Sequence, residues 1–199
     1  MSDVKKTSMY SLILLNTLAI FTLLGCGNGS SETLTNENDK NKEGIEVVLE
    51  KTFHAPDRVL LSKLYDSDNA TIINQDEQSS TSSVQEKEND FDQYIKENYG
   101  DYFTEYGFEK FFITSGEGYR YSDGADKANY TLVPESIRIV QDEKNEQRYE
   151  FDVTVKYTDE KNEEGTRVLN GRVEMDEGKI DSLNINDDEG LLKEMMSNP

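Results

Sequence analysis

The spacing of apolar residues changes character along the chain, and those changes predict its elements. Ile45, Val48, Leu49, Thr52 and Phe53 recur at helical spacing. Pro56 then removes a backbone donor, which places a break at His54-Ala55-Pro56. Val59, Leu60, Leu61, Leu64 and Tyr65 carry the pattern on to about Asp66. Residues 67–90 are polar, with Ser79-Ser80-Thr81-Ser82-Ser83 at their centre, and are expected to include a disordered loop. From Phe91 a 3–4 spacing returns through Tyr94, Ile95, Tyr99, Tyr102, Phe103 and Tyr106. Gly100 is expected to interrupt this helix and Gly107 to end it.

After Gly116 the period is expected to shorten to two. Tyr149, Phe151, Val153, Val155 and Tyr157 alternate with Glu150, Asp152, Thr154 and Lys156, the pattern of a half-buried antiparallel strand. Further strands are predicted near 136–141 and over 168–176. A tight turn at Glu177-Gly178 leads into a fourth over 179–185, where Ile180, Leu183 and Ile185 break alternation and predict a bulge. Leu191, Leu192, Met195 and Met196 predict a short last helix within 188–196. Helices first and a meander of about four strands second is the order of an α+β fold, with N-terminal helices packed on one face of a curved antiparallel sheet.

The N-terminus follows a different logic. Lys5 and Lys6 precede an uncharged run from Tyr10 to Leu24. Fifteen residues span only ~22 Å as a helix, short of a ~30 Å hydrocarbon core, but they suit the apolar stretch of a secretory signal. Residues 27–44 contain Leu34 as their one sizeable apolar residue, so residues 26–44 are expected to form a flexible tether.

Composition narrows the function. The 199 residues carry 21 Lys+Arg against 41 Asp+Glu, a net charge of −20 that repels nucleic acid and anionic lipid. Removing residues 1–25 takes away Asp3, Lys5 and Lys6 and makes the charge −21. One Cys and one His leave no intrachain disulfide, no Cys-based zinc site and no Cys–His catalytic pair. His54, beside Pro56, reads as a capping or surface residue. Asn184 to Gly190 has the look of a calcium loop, but Ile185 would stand in its first ligand position and cannot ligate. Ser122 to Lys127 reads as a solvated turn. No catalytic residues, metal or cofactor are therefore expected.

Leu23-Leu24-Gly25-Cys26 resembles the lipobox of bacterial lipoproteins. That resemblance implies signal cleavage between Gly25 and Cys26. It also implies a diacylglyceryl group on Cys26 and a lipid-anchored protein on the outer face of the cell membrane. Abundant Lys, Asn, Glu and Ile point to a Gram-positive source.

The segment from Tyr99 to Phe111, followed by Tyr149–Tyr157, Gly171-Arg172-Val173 and Gly178-Lys179-Ile180, resembles the NTF2-like or cystatin-like superfamily in element order over 45–186. The resemblance implies a domain over 45–199 with a cone-shaped cavity. Tyr99, Tyr102, Phe103, Tyr149 and Phe151 are the candidates to line it. It also implies a non-catalytic binding or accessory role at the cell envelope, with an envelope protein or a small apolar ligand as partner. An envelope structural or assembly factor and a cone-cavity isomerase or dehydratase are the alternatives. An apolar patch on the open sheet face would favour the assembly factor, and a buried carboxylate beside a Tyr would favour the enzyme.

Overall fold

The computed structural model describes residues 31–66 and 89–197. The expected Gly25–Cys26 cleavage site and nearly all of the polar 67–90 segment lie outside them. Helices α1 (Ser31–Phe53), α2 (Arg58–Leu64), α3 (Asp90–Tyr99), α4 (Glu105–Phe108) and α5 (Glu117–Ala128) precede four strands. These are β1 (Thr131–Gln141), β2 (Arg148–Thr158), β3 (Glu164–Asp176) and β4 (Lys179–Asp187), and α6 (Leu191–Ser197) ends the fold. The sheet is an antiparallel meander in the order β1-β2-β3-β4. This is the α+β arrangement that the order of periods predicts.

Alternation fixes which face of the sheet is buried. Tyr149, Phe151, Val153 and Val155 on β2, with Leu169 and Val173 on β3, are buried under the helices. Ile45, Val48, Leu49 and Phe53 of α1 are buried in the same core, and Phe53 meets Tyr121 of α5 edge-on at 5.0 Å between ring centroids. Thr52 is buried in that stripe because its hydroxyl donates to Val48 O at 2.7 Å. The opposite face is dressed with cross-strand ion pairs: Arg138–Asp152, Arg148–Glu174 at 2.7 Å, Lys156–Glu164 at 2.8 Å and Arg172–Glu150 at 3.9 Å. Its exposed valines are separated by polar neighbours, since Val133, Val140 and Val168 stand opposite Lys156, Glu150 and Thr154 of β2. The face therefore lacks the apolar patch that an assembly surface would use.

β4 is bulged, as its broken alternation predicts: its register with β3 shifts between Asn170 and Gly171 and again between Glu174 and Met175. β1 is bulged between Pro134 and Ser136, which suits a proline on an edge strand.

Four expectations need correction. The chain is already helical from Ser31, inside the segment that composition assigns to a tether. Polar side chains hold that part of α1: Asn38 Nδ2 donates to Gln141 Oε1 at 2.7 Å, and Asn41 Nδ2 to the Tyr149 hydroxyl at 3.3 Å. Gly107 does not end the aromatic segment. It is buried in α4, so close to β4 that a Cβ there would stand 2.4 Å from Ile180 O, and a π turn over Glu109–Thr114 follows. The break falls instead at Gly116, whose φ is 67°. Period two does not begin after Gly116, because Glu117–Ala128 forms α5, and the supposed turn at Ser122–Lys127 is its second half. The other breaks stand where predicted, at Gly100 in a 3-10 turn and at His54–Pro56.

Gly171 marks the tightest point of the sheet. An added Cβ would lie 2.2 Å from Asn184 O and 2.4 Å from Cζ of Phe151. Gly171→Ala is therefore expected to cost about 1–3 kcal/mol or more through overpacking, and Phe151→Ala about 3–5 kcal/mol through a residual cavity. The outward-facing Asp152→Asn should stay within about 1 kcal/mol. Urea denaturation midpoints check all three, and a larger loss from Asp152→Asn than from Phe151→Ala would invert the inside–outside assignment of β2.

Candidate functional site

The five aromatic candidates are largely packing partners of one another and of the surrounding core. Phe103 stacks on Phe111 at 5.4 Å, and both Phe103 and Tyr99 contact Phe112, at 6.0 and 4.7 Å. The Phe151 ring occupies the space that a side chain at 171 would fill. Tyr149 is fully buried, and its hydroxyl accepts from Asn41 and Gln141, both at 3.3 Å. Tyr102 lies against Gly44 of α1, half-buried. Of the five, Tyr99 also borders a surface groove.

That groove, of ≈ 480 Å³, opens beside Pro56 between the end of α1 and α3. Most of its polar groups are engaged by neighbours. Asp57 caps α2, accepting at Oδ1 from the amides of Val59 and Leu60, both at 3.0 Å, and at Oδ2 from the Tyr94 hydroxyl at 3.0 Å. Burial and the Asp57 carboxylate together push the Tyr94 hydroxyl up to about 12. Lys51 Nζ donates to Asn98 O at 2.8 Å and lies over the Tyr99 ring. His54 is exposed and stands 3.8 Å from Glu50 of the preceding turn, in the surface role its sequence position predicts.

A carboxylate beside a tyrosine occurs a second time. Asp188 accepts from the amides of Gly190 and Leu192, both at 2.9 Å, and from the hydroxyl of Tyr121 at 3.1 Å. Burial, reinforced by Asp188, raises the Tyr121 hydroxyl well above its ordinary value. In both pairs the carboxylate holds the start of a helix and accepts from three donors. Neither is a free general base. Glu117, near Tyr121, has its carboxyl raised by burial, with Arg120 and Lys110 opposing. Among the described residues no group of three His, Cys, Asp or Glu side chains converges to hold a metal ion.

A second groove, of ≈ 400 Å³, runs between α5 and α6 and is more apolar. Tyr119, Leu192, Met195 and Met196 line it, with Lys127 and Asp123 at its edge. α6 is fixed there by buried Leu191 and Met195 and by Glu194, which accepts from Tyr130 at 3.0 Å and from Arg167 at 3.1 Å. Gly124 makes room for that helix, since a Cβ there would lie 3.3 Å from both Leu192 and Met195.

From the sequence, Asp57 and Tyr121 stood out in no way, Tyr94 read as a helix-face position and Asp188 as part of the Asn184–Gly190 segment. A signal for the carboxylates was present: an Asp just before Arg58-Val59-Leu60-Leu61, and another three residues before Leu191-Leu192, follow the N-cap rule. The tyrosines had no local signal, because their partners are 37 and 67 residues away.

Comparison with known protein families, with curated proteins and with solved structures finds no match. The class that the geometry defines is an α+β domain in which Lys51, Asp57 and Tyr94 of the Pro56 groove are hydrogen-bonded within the fold. No helix among the described residues is long and apolar enough to cross a membrane.

Tyr94 and Tyr130 are each pushed from 10.0 to about 12, chiefly by burial and then by Asp57 and Glu194. A hydroxyl raised in the folded state stabilises the fold fully below the unfolded value near 10, and that contribution falls as pH rises toward 12. Alkaline unfolding is therefore expected to set in above pH 10, together with the late-ionising tyrosines. Parallel tyrosinate absorbance and circular dichroism titrations check this; a single ionisation step near pH 10 with the fold intact would contradict it. Tyr121→Phe, which removes one hydrogen bond from a carboxylate that keeps its two amide donors, should cost about 1–2 kcal/mol in a urea melt.

Proposed function

We propose that this chain is a lipoprotein, anchored through Cys26 at the outer face of a cell membrane, with a non-catalytic binding or accessory role at the envelope. The observation that carries the reading is the order of features in residues 1–26: two lysines, an uncharged run, and Leu23-Leu24-Gly25-Cys26 ending on the only Cys of the chain. Two acyl chains, each burying CH₂ groups at ~0.8 kcal/mol apiece, suffice for stable anchoring where one does not.

The folded part supports binding over catalysis through its polar groups. Asp57 and Asp188 are occupied as helix caps, His54 is exposed, and Lys51 is tied to α3. What remains available is surface: a polar groove at Pro56 and a methionine-lined groove between α5 and α6. The second suits an apolar ligand, because methionine adapts its shape and presents a polarizable surface. A helix-then-meander order is also what an NTF2-like or cystatin-like accessory domain requires, and the observed order of helices and strands supports that resemblance.

In cells fed a labelled fatty acid, the wild-type chain is expected to carry label and to partition into a detergent-rich phase. Cys26→Ser should lose the label, retain its signal segment and leave the circular dichroism of the folded domain unchanged. Equal label in both forms would refute the anchor.

A further inference from the structure

We propose that, on the membrane, the domain stands upright, with the β1–β2 hairpin (residues 142–147) and the β3–β4 turn (residues 177–178) toward the lipid and the β2–β3 hairpin (residues 159–163) away from it. The proposal rests on the lipid anchor at Cys26 and adds to it a direction read from α1. The N-terminal half of α1 lies beside one end of the sheet: Asn38 bonds Gln141, Asn41 bonds Tyr149, and Asn41 Oδ1 lies 3.8 Å from where a Cβ of Gly178 would be. The segment following α1 reaches the opposite end, where Ala55 bridges Leu132 and Leu132 stands opposite Tyr157. Helix α1 therefore runs the length of the sheet, and the chain leaves it at Ser31 on the hairpin side, ~10 Å along the axis beyond Asn38.

Lengths decide the orientation. Five residues from Cys26 to Ser31 reach at most ~18 Å. Helix α1, with 23 residues, is ~35 Å long, and β2, with 11, is about as long. To turn the far end toward the lipid, the link would have to run back along the whole domain, about twice what it can span.

Charge adds a standoff. Asp142, Glu143, Glu146, Asp176 and Glu177 outnumber Lys144 and Lys179 at the near end, so anionic headgroups repel the tips that the link holds close. The groove at Pro56, next to Ala55, then opens at the end far from the bilayer, where a partner in the envelope can reach it.

The single Cys makes the test clean, because a lipidated Cys26 offers no free thiol. Lys144→Cys and Lys161→Cys place one exposed thiol on each end. Each full-length lipidated variant is labelled with a thiol-reactive donor dye and reconstituted into neutral phosphatidylcholine vesicles carrying a headgroup-labelled acceptor. Energy transfer is expected to be several-fold stronger from position 144 than from 161. Equal transfer, the result for a domain lying on its side, would overturn the proposal, as would stronger transfer from 161. Dye uptake by Cys26 in the unsubstituted protein would overturn the anchor, and the orientation with it.

Discussion

One sheet must be covered on one face only, from a chain in which hydrophobic residues are 34% of the total. There is not enough apolar surface to cover both faces, and the structure concentrates it. Ile45, Val48, Leu49 and Phe53 of α1, the Phe103–Phe111–Phe112 cluster and Tyr121 of α5 close over Tyr149, Phe151, Val153 and Val155. The other face is left to ion pairs such as Arg148–Glu174 and Lys156–Glu164, each worth only about 0–1 kcal/mol at this exposure. Those pairs neutralise part of a large acidic excess and keep the open face from pairing with apolar surfaces, but they do not drive folding. Burial under α1 and α5 does that.

The same scarcity explains the use of tyrosine. A tyrosine gives a core its ring and still offers a hydroxyl at the margin. Tyr94, Tyr121 and Tyr130 each spend that hydroxyl on a carboxylate, two of which begin a helix and one of which sits within α6. Short helices such as α2 and α6, of seven residues each, have little stability of their own and depend on such fixings. These contacts hold the carboxylates in capping and anchoring positions.

How much of this was legible depended on where each residue's partner lies. β2 could be read in full because alternation is local and Tyr149–Tyr157 obeys it without interruption. The bulge in β4 was legible as broken alternation for the same reason. Helix α5 was not, since Gly118, Ser122, Asp123 and Gly124 give it the composition of a turn. Its glycines answer to distant packing: a Cβ at 118 would lie 2.3 Å from Phe112, and Gly124 admits α6. The start of α1 was illegible because Asn38 and Asn41 are fastened by Gln141 and Tyr149, more than 100 residues away. The candidate site was the least legible part. Ring-rich segments announce a core, and only the three-dimensional register shows that the Phe151 ring fills the space above Gly171.

The central claim is that a lipid on Cys26 ties this acidic α+β domain to a membrane surface. The most direct measurement is mass spectrometry of the N-terminal peptide of the mature protein, isolated from the membranes of the cells that make it. The account predicts a peptide that begins at Cys26 and carries the added mass of a diacylglyceryl group. A peptide that still contains residues before Cys26, or one that begins at an unmodified Cys26, would contradict it.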